Sequence, residues 1–396
     1  MKKTKDSYSK SRARAELLLK TTGQMGKSIV RAVGQRQSVN FGINLVASEY
    51  LHSGIGQYSA VIERVVEASG RVVHRFPFDA NGEFSGAARE LCDDTVAIVS
   101  PGQLPFAQLM YPRAFLSRRR RAAIIFWDVD KVPQRMGLGF KLLDELWAPS
   151  SSGAAVLADQ FDIPVRVFPT PIQRLDGGAQ GSLRSAIGIK DDFLIAYQFD
   201  MGSSAMRKNP WGAVSSYKKA FPNENDGAHL LLKCSRGVEA SEDYKRLQEL
   251  CDSRRDITLA NEYWDDDLVA SMYLDIDCYL STHRSEGYGL TVAQALAADK
   301  YVIATGYGAT TDFMPPLYTD LIPYKLVKVG KNPIYPHDAN WAEPNVEATA
   351  DLLRRAFNDP LSTAAKGIQA GQQAKKEFSV DRAVAALNEL LGPAKS

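Results

Sequence analysis

The chain has 396 residues, enough for two domains with a core each, and its 45% apolar and 24% charged composition is that of a globular protein rather than a disordered one. The formal net charge of +2 is small but unevenly spread: residues 1–36 hold ten Lys and Arg against two acids, and Arg118-Arg119-Arg120-Arg121 forms a second basic run. No stretch approaches the ~18 consecutive apolar residues of a membrane span, and no apolar signal segment opens the chain. Cys92, Cys234, Cys251 and Cys278 lack CxxC spacing, so the expectation is a cytoplasmic protein in a reducing compartment, without a zinc site or disulfide framework.

Residues 1–36 read as a basic extension, either solvated or lying on anionic lipid. From Asn40 the pattern changes. Phe41–Val46 is a short apolar strand, and Ser53-Gly54-Ile55-Gly56-Gln57-Tyr58-Ser59 leads from it into a helix that runs through Glu67. Gly54 and Gly56 suit a ligand-facing glycine loop, and a tight turn accounts for them as well. Further strands are expected at 71–76, 95–99, 122–127, 145–148 and 165–168, with helical segments between them. Asp128-Val129-Asp130 follows the strand at 122–127. A DxD at a strand end can hold a divalent cation, but a polar loop facing the cleft is the preferred reading.

This first α/β domain spans residues 37–171, and residues 172–186, with Gly177-Gly178 and no apolar period, read as a linker. A second α/β domain, residues 187–375, opens with a buried strand at 193–197. Its following loop carries Ser203, Arg207 and Lys208 ahead of a helix at 211–221. Strands at 229–233 and 257–260 alternate with helices at 241–250 and 265–274. The stretch CYLSTHRSEGYGLTVAQALAADKYVIATGYGATTDF then reads as strand, loop, helix, strand, loop. Helices at 345–357 and 380–391 follow, the second belonging to a terminal segment 376–396. Two facing, doubly wound, Rossmann-like domains with a cleft between them are the simplest arrangement of these alternations.

In open α/β sheets ligands bind at the carboxyl ends of the strands, where the Arg207 and Glu286 loops fall. Two cations beside the free N–H groups at the start of the Thr291 helix suit a diphosphate, each charge-assisted hydrogen bond contributing about 1.5–3 kcal/mol when desolvated. Glu286 could cap that helix or point into the cleft. His283 could donate to an oxyanion, or be a packed, satisfied side chain. Basic residues without interleaved aromatics argue against nucleic-acid binding.

HRSEGYGLTVAQALAADKYVIATGYGATTDF resembles the signature of the retaining family-4 glycosyltransferases of the GT-B fold, in particular a bacterial branch with an HRSEGFGL-type motif. FDMGSSAMRKNPWGAVSSYKKAF, LLLK, DELWAPSSSGAAVL, NWAEPNVEATADLLRRAF and SGIGQYS support it in order along the chain, leaving residues 1–36 unmatched. The resemblance implies metal-independent transfer of a sugar from a nucleotide-diphosphate-sugar to an acceptor hydroxyl with retention, in polysaccharide or glycolipid assembly, with no cofactor. It implies that Arg207 and Lys208 hold the diphosphate together with Gly287, Tyr288, Gly289, Leu290 and Thr291, and that Glu286 lies beside the donor sugar. Lys233 and the segment of Tyr263 lie near the base. The first domain, with Gly54, Gly56 and the Asp128 loop, faces a saccharide or lipid-linked acceptor, with His283 at the cleft.

The second glutamate of the family's E-x7-E pair is here Gln294. Exchanging a charge-assisted bond to ribose for a neutral one weakens donor binding about tenfold. A catalytically silent GT-B subunit that binds a nucleotide or a partner protein is the alternative this departure suggests. Docking of the first domain on anionic membrane through residues 1–36 and 118–121 is a further expectation.

Overall fold

A computed structural model describes residues 39–48, 54–78, 90–116 and 119–393. The basic extension 1–36, Ser53 and Arg118 lie outside the described residues. The first sheet is parallel. It uses β1 (Val39–Ala47), β2 (Val72–Pro77), β3 (Leu91–Ile98), β4 (Arg120–Ile124), β5 (Glu145–Ala148) and β6 (Val165–Val167), in the order β2-β1-β3-β4-β5-β6. Both faces of such a sheet must be covered. On one, Ile43, Leu45, Val96, Ile98 and Trp147 join a core with Tyr58, Ile62 and Val65 of α1 (Gly54–Ala68). On the other, Ala97, Ala123, Ile125 and Leu146 join a core with α2 (Leu104–Met110), α3 (Pro112–Leu116), a 3-10 helix (Gln134–Leu142) and α4 (Ser151–Gln160).

Residues 172–186, expected to be a linker, end in a helical turn, α5 (Ser182–Ala186). One carboxylate fixes it: Asp275 accepts from the backbone N–H groups of Leu183 at 2.9 Å and Arg184 at 3.1 Å, and from that of Gly181.

The second parallel sheet is ordered β12-β11-β10-β7-β8-β9. It comprises β7 (Phe193–Asp200), β8 (Ala228–Ser235), β9 (Ile257–Ala260), β10 (Cys278–Ser281), β11 (Tyr301–Thr305) and β12 (Asp320–Ile322). Between its strands run α6 (Ala205–Lys208), α7 (Pro210–Ala220), α8 (Glu242–Asp252), α9 (Asp266–Asp275) and α10 (Leu290–Ala297). An antiparallel hairpin of β13 (Tyr324–Lys328) and β14 (Asn340–Pro344) precedes α11 (Val346–Asn358), α12 (Pro360–Glu377) and α13 (Val380–Leu391).

The last helix returns to the first sheet, with Leu387 and Leu391 buried in the same core as α1. Arginines of the first sheet bind its C-terminal end, where a helix presents unpaired carbonyls and partial negative charge. Arg119 donates to Leu391 O at 2.9 Å, Arg120 to Leu390 O, and Arg71 to Gly392 O and to Asn388 Oδ1, the last at 2.7 Å. Arg121 pairs with Asp144. The cations at 119–121, expected to meet lipid, therefore have partners within the chain. The two polypeptide crossings between the sheets are also joined, Ile172 N donating to Phe378 O at 2.8 Å.

Candidate active site

The loops after β7 and β10 are tied together. Arg284 N donates to Arg207 O at 2.7 Å and Arg284 Nη1 to Met206 O at 2.6 Å, while Asn209 and Thr282 exchange side-chain-to-backbone bonds of 3.1 and 2.8 Å. Asn209 can do this because it takes a left-handed conformation (φ 51°) at the start of α7 and caps it through Gly212 N. The result is one ledge at the carboxyl edge of the second sheet, carrying Arg207, Lys208 and Glu286.

Arg207 is 6% exposed. Its Nη1 lies 3.1 Å from Glu286 Oε2, 3.1 Å from Asp128 Oδ1 and 2.9 Å from Ser285 O, while Lys208 Nζ pairs with Glu286 Oε1. Burial would raise the Glu286 carboxyl, but Lys208 and Arg207 outweigh it and hold the group down at about 2, so it is an anion at any working pH. Burial and the neighbouring Arg207 lower Lys208, with Glu286 opposing them.

Asp128 arrives from the opposite sheet and closes the cluster. Its Oδ2 accepts from Tyr335 Oη at 2.6 Å and its backbone carbonyl accepts from Ser285 Oγ. Tyr335, in the loop between β13 and β14, is a site residue that sequence reasoning missed. Asp130 accepts from Asn340 N at 2.7 Å and from Asn340 Nδ2, so both carboxylates of the DxD loop are engaged by protein donors. Among the described residues no three His, Cys, Asp or Glu side chains converge as a metal site.

Gly287 and Gly289 shape the approach. A Cβ on Gly287 would lie 3.2 Å from Asp128 Oδ1 and 3.3 Å from Phe126 Cβ, so the bare backbone lets the two loops meet. Gly289 takes φ +91° as the residue before α10, and a Cβ there would strike the Thr310 methyl. Tyr288 is 5% exposed and sits between Tyr58 of α1 in the first domain and Phe313, in the loop after β11, in the second, at 5.6 and 5.3 Å between ring centroids. Leu290 and Thr291 open the helix ahead of its first hydrogen bond, Ala293 N to Gly289 O, so its first-turn N–H groups have no acceptor within the helix.

The other expected site residues are placed differently. His283 is fully buried: Nε2 donates to Tyr307 O at 3.2 Å and Nδ1 accepts from Ser281 Oγ at 2.9 Å. A carbonyl can only accept, which assigns the proton to Nε2, and burial lowers the ring to about 4. It is therefore a neutral packed residue rather than a cleft donor. Lys233 is also internal, donating to Cys234 O at 2.9 Å and Glu262 O at 3.0 Å over the Trp264 ring, so its ammonium braces β8 against the 261–264 segment. Tyr263 is 70% exposed on that segment.

Ser203 donates to Asp200 O at 3.0 Å and lies 3.5 Å from Arg207 Nη2. Gln294 is 7% exposed, its Oε1 3.1 Å from Tyr273 Oη. Gly54 and Gly56 fall within the first turn of α1, not in a loop before it; Gly56 lines a cavity of about 380 Å³ between α1 and the ends of β1 and β2.

The sequence matches no model of a known protein family and no curated protein. Solved structures do match. A glycosyltransferase from Rickettsia africae aligns with TM-score 0.65 at 15% identity over 89% of this chain and 98% of that one. Anabaena HepE, solved with UDP and glucose, aligns with TM-score 0.63 at 14% identity over 89% and 99%, and the Thermosynechococcus elongatus sucrose-phosphate synthase with 0.63 at 13% over 88% and 98%. With its two six-stranded parallel sheets, their carboxyl edges meeting at one cluster, the chain has the two-domain α/β fold of GT-B glycosyltransferases.

Proposed function

We propose that this protein is a retaining glycosyltransferase that moves a sugar from a nucleotide-diphosphate-sugar to an acceptor hydroxyl, without metal, in polysaccharide or glycolipid assembly. The observation that carries the reading is the junction of Arg207, Lys208 and Glu286 with the start of α10, at the carboxyl ends of β7 and β10. That HepE holds UDP and glucose in the same fold supports a nucleotide-sugar as donor.

In this reading the departing diphosphate lies along Arg207, Lys208 and the N–H groups of Leu290 and Thr291. Fixed cations and dipoles need no reorganisation as charge develops on the leaving oxygen. As the anomeric C–O bond to phosphate breaks, the acceptor oxygen bonds to the same face and its proton passes to the departing phosphate oxygen. Glu286, ionised throughout, cannot act as a proton donor and instead stabilises positive charge growing at the anomeric carbon. Asp128 faces the acceptor.

A second reading, a catalytically silent nucleotide- or partner-binding subunit, is favoured by the saturation of Arg207 by two carboxylates and by Gln294. A screen of nucleotide-sugars for hydrolysis and thermal stabilisation tests the first reading. Within it, Gln294→Glu tightens the preferred donor about tenfold, by restoring a charged acceptor for ribose. No stabilisation by any nucleotide-sugar would refute the transferase.

A further inference from the structure

The segment between β12 and α11, PYKLVKVGKNPIYPHDANWAEP, is built as two short strands around a stiff turn. Gly330 takes φ +70°, Pro333 and Pro336 have their own φ fixed by the ring, and Asn332 Oδ1 accepts from Ile334 N at 2.8 Å and Tyr335 N at 3.1 Å. Val329 N donates to Ala339 O at 2.9 Å and closes the turn, so residues 329–339 move as one piece if they move at all.

This hairpin straddles the cleft. Its base is fastened to the second domain: Ala342 N donates to Arg284 O at 2.9 Å, and Arg284 pairs with Glu343 through Nε at 2.7 Å and Nη2 at 2.9 Å. Its far side is buried in the first. Val329, Tyr335, Ala339 and Trp341 belong to a core whose other buried members all come from the first domain, with the Tyr335 ring edge-on to Trp127 at 5.8 Å. One first-domain loop holds it there: Asp128 accepts from Tyr335 Oη at 2.6 Å, Asp130 accepts from Asn340 N at 2.7 Å, and Lys131 pairs with Asp338.

A cleft joined only by its two chain crossings would stand open without a ligand and shut around one. Here opening would draw two aromatic side chains and a valine out of the first domain's core and break three polar ties at once. The chain is shut without a ligand, and its Arg207 cation already faces a carboxylate, that of Asp128.

We propose that residues 329–339 form a strap that latches the cleft closed in the free protein, with Asp128 held on Arg207 as an internal substitute for the donor's phosphate, and that a nucleoside diphosphate enters only when the strap lifts. That a nucleotide is the guest rests on the transferase reading; the latch itself does not.

The four native cysteines are buried, so introduced thiols take spin labels selectively. Ala158→Cys on α4 and Glu249→Cys on α8, both exposed and in different domains, are labelled in the full-length chain, and the distance between them is measured without nucleotide. A single narrow distribution is expected. Tyr335→Ala is expected to add a second, longer distance, and Tyr335→Phe combined with Asn340→Ala, which keeps the ring in the core, to broaden the first; circular dichroism checks that each is folded. In stopped-flow mixing of unlabelled protein with UDP, GDP and ADP in turn, the observed rate for the wild type should level off at the rate of strap lifting. That plateau should rise about tenfold in Tyr335→Ala and about threefold in the milder pair, as the open fraction grows.

A free wild-type protein with broad or long distances that narrow only when nucleotide is added overturns the proposal. So do variants that keep the wild-type distance, and variants that open but take up nucleotide no faster. Failure of all three nucleotides to bind any form would instead count against the transferase reading, and the distances alone would then decide the latch.

Discussion

Replacing Asp128 with asparagine is expected to tighten the binding of a nucleoside diphosphate while slowing turnover. Arg207 Nη1 has two protons but three acceptors within 3.1 Å, on Asp128, Glu286 and Ser285. Removing one charge leaves two acceptors for two protons, and an asparagine oxygen still accepts from Tyr335, so the fold loses little. The diphosphate gains more, since a phosphate oxygen about 5 Å from the Asp128 carboxylate is repelled by about 3 kcal/mol at an effective dielectric of 20. Rearrangement and salt reduce that figure, and the expected gain is at least tenfold in Kd for UDP, GDP or ADP, whichever binds, by titration calorimetry. The maximal transfer rate falls, because the acceptor loses the carboxylate facing it. An unchanged or weaker affinity would refute the assignment of Arg207 to phosphate.

Glu286→Gln should abolish transfer and destabilise the fold on the order of 3 kcal/mol, because the folded-state carboxyl is depressed from 4.5 to about 2. That stability is present above about pH 4.5 and is lost as pH falls toward 2, so wild-type and variant denaturation curves should converge on acidification; a gap independent of pH over that window contradicts the ion cluster. Gly289→Ala should lower the melting temperature and nucleotide affinity through its positive φ and the Thr310 methyl, a cost of about 1–3 kcal/mol. Adding Thr310→Ser, which removes that methyl, should recover part of the loss, and no recovery disproves the steric account. Leu387→Ala, at a position 1% exposed, should cost about 2–5 kcal/mol in urea unfolding, whereas a cost under 1 would mean that α13 is not a structural part of the first domain.

Where the apolar pattern matched its element, the sequence could be read to the residue. Strands 145–148 and 257–260 and helix 380–391 coincide end to end with β5, β9 and α13, each an apolar run or stripe bounded by polar or turn residues. α12, the longest helix among the described residues, escaped the same reading because its buried face is Thr363, Gly367, Ala370, Gly371 and Ala374. These small residues let it pack directly on the backbone of residues 299–301, where large ones would clash, so no apolar period betrays it. The Arg207–Glu286 junction was expected from two loops at strand ends. The contacts across the cleft were not: Tyr335 meets Asp128 over 207 positions of sequence, and nothing local to either residue signals the other. The sequence left His283 open between an oxyanion donor and a packed side chain, and gave no sign that Lys233 bonds Cys234 O and Glu262 O, since a residue at a strand end can turn inward to satisfy carbonyls as readily as outward.

The return of α13 to the first sheet also bears on how the chain is made. Arg71, 4% exposed, finds its partners at Asn388 and Gly392, more than 300 residues later in synthesis. The amino-terminal half must therefore leave the ribosome with one flank of α1 uncovered and an arginine awaiting its acceptors. It reaches its final form only once α13 has been made and has docked, the helix serving as its closing strap.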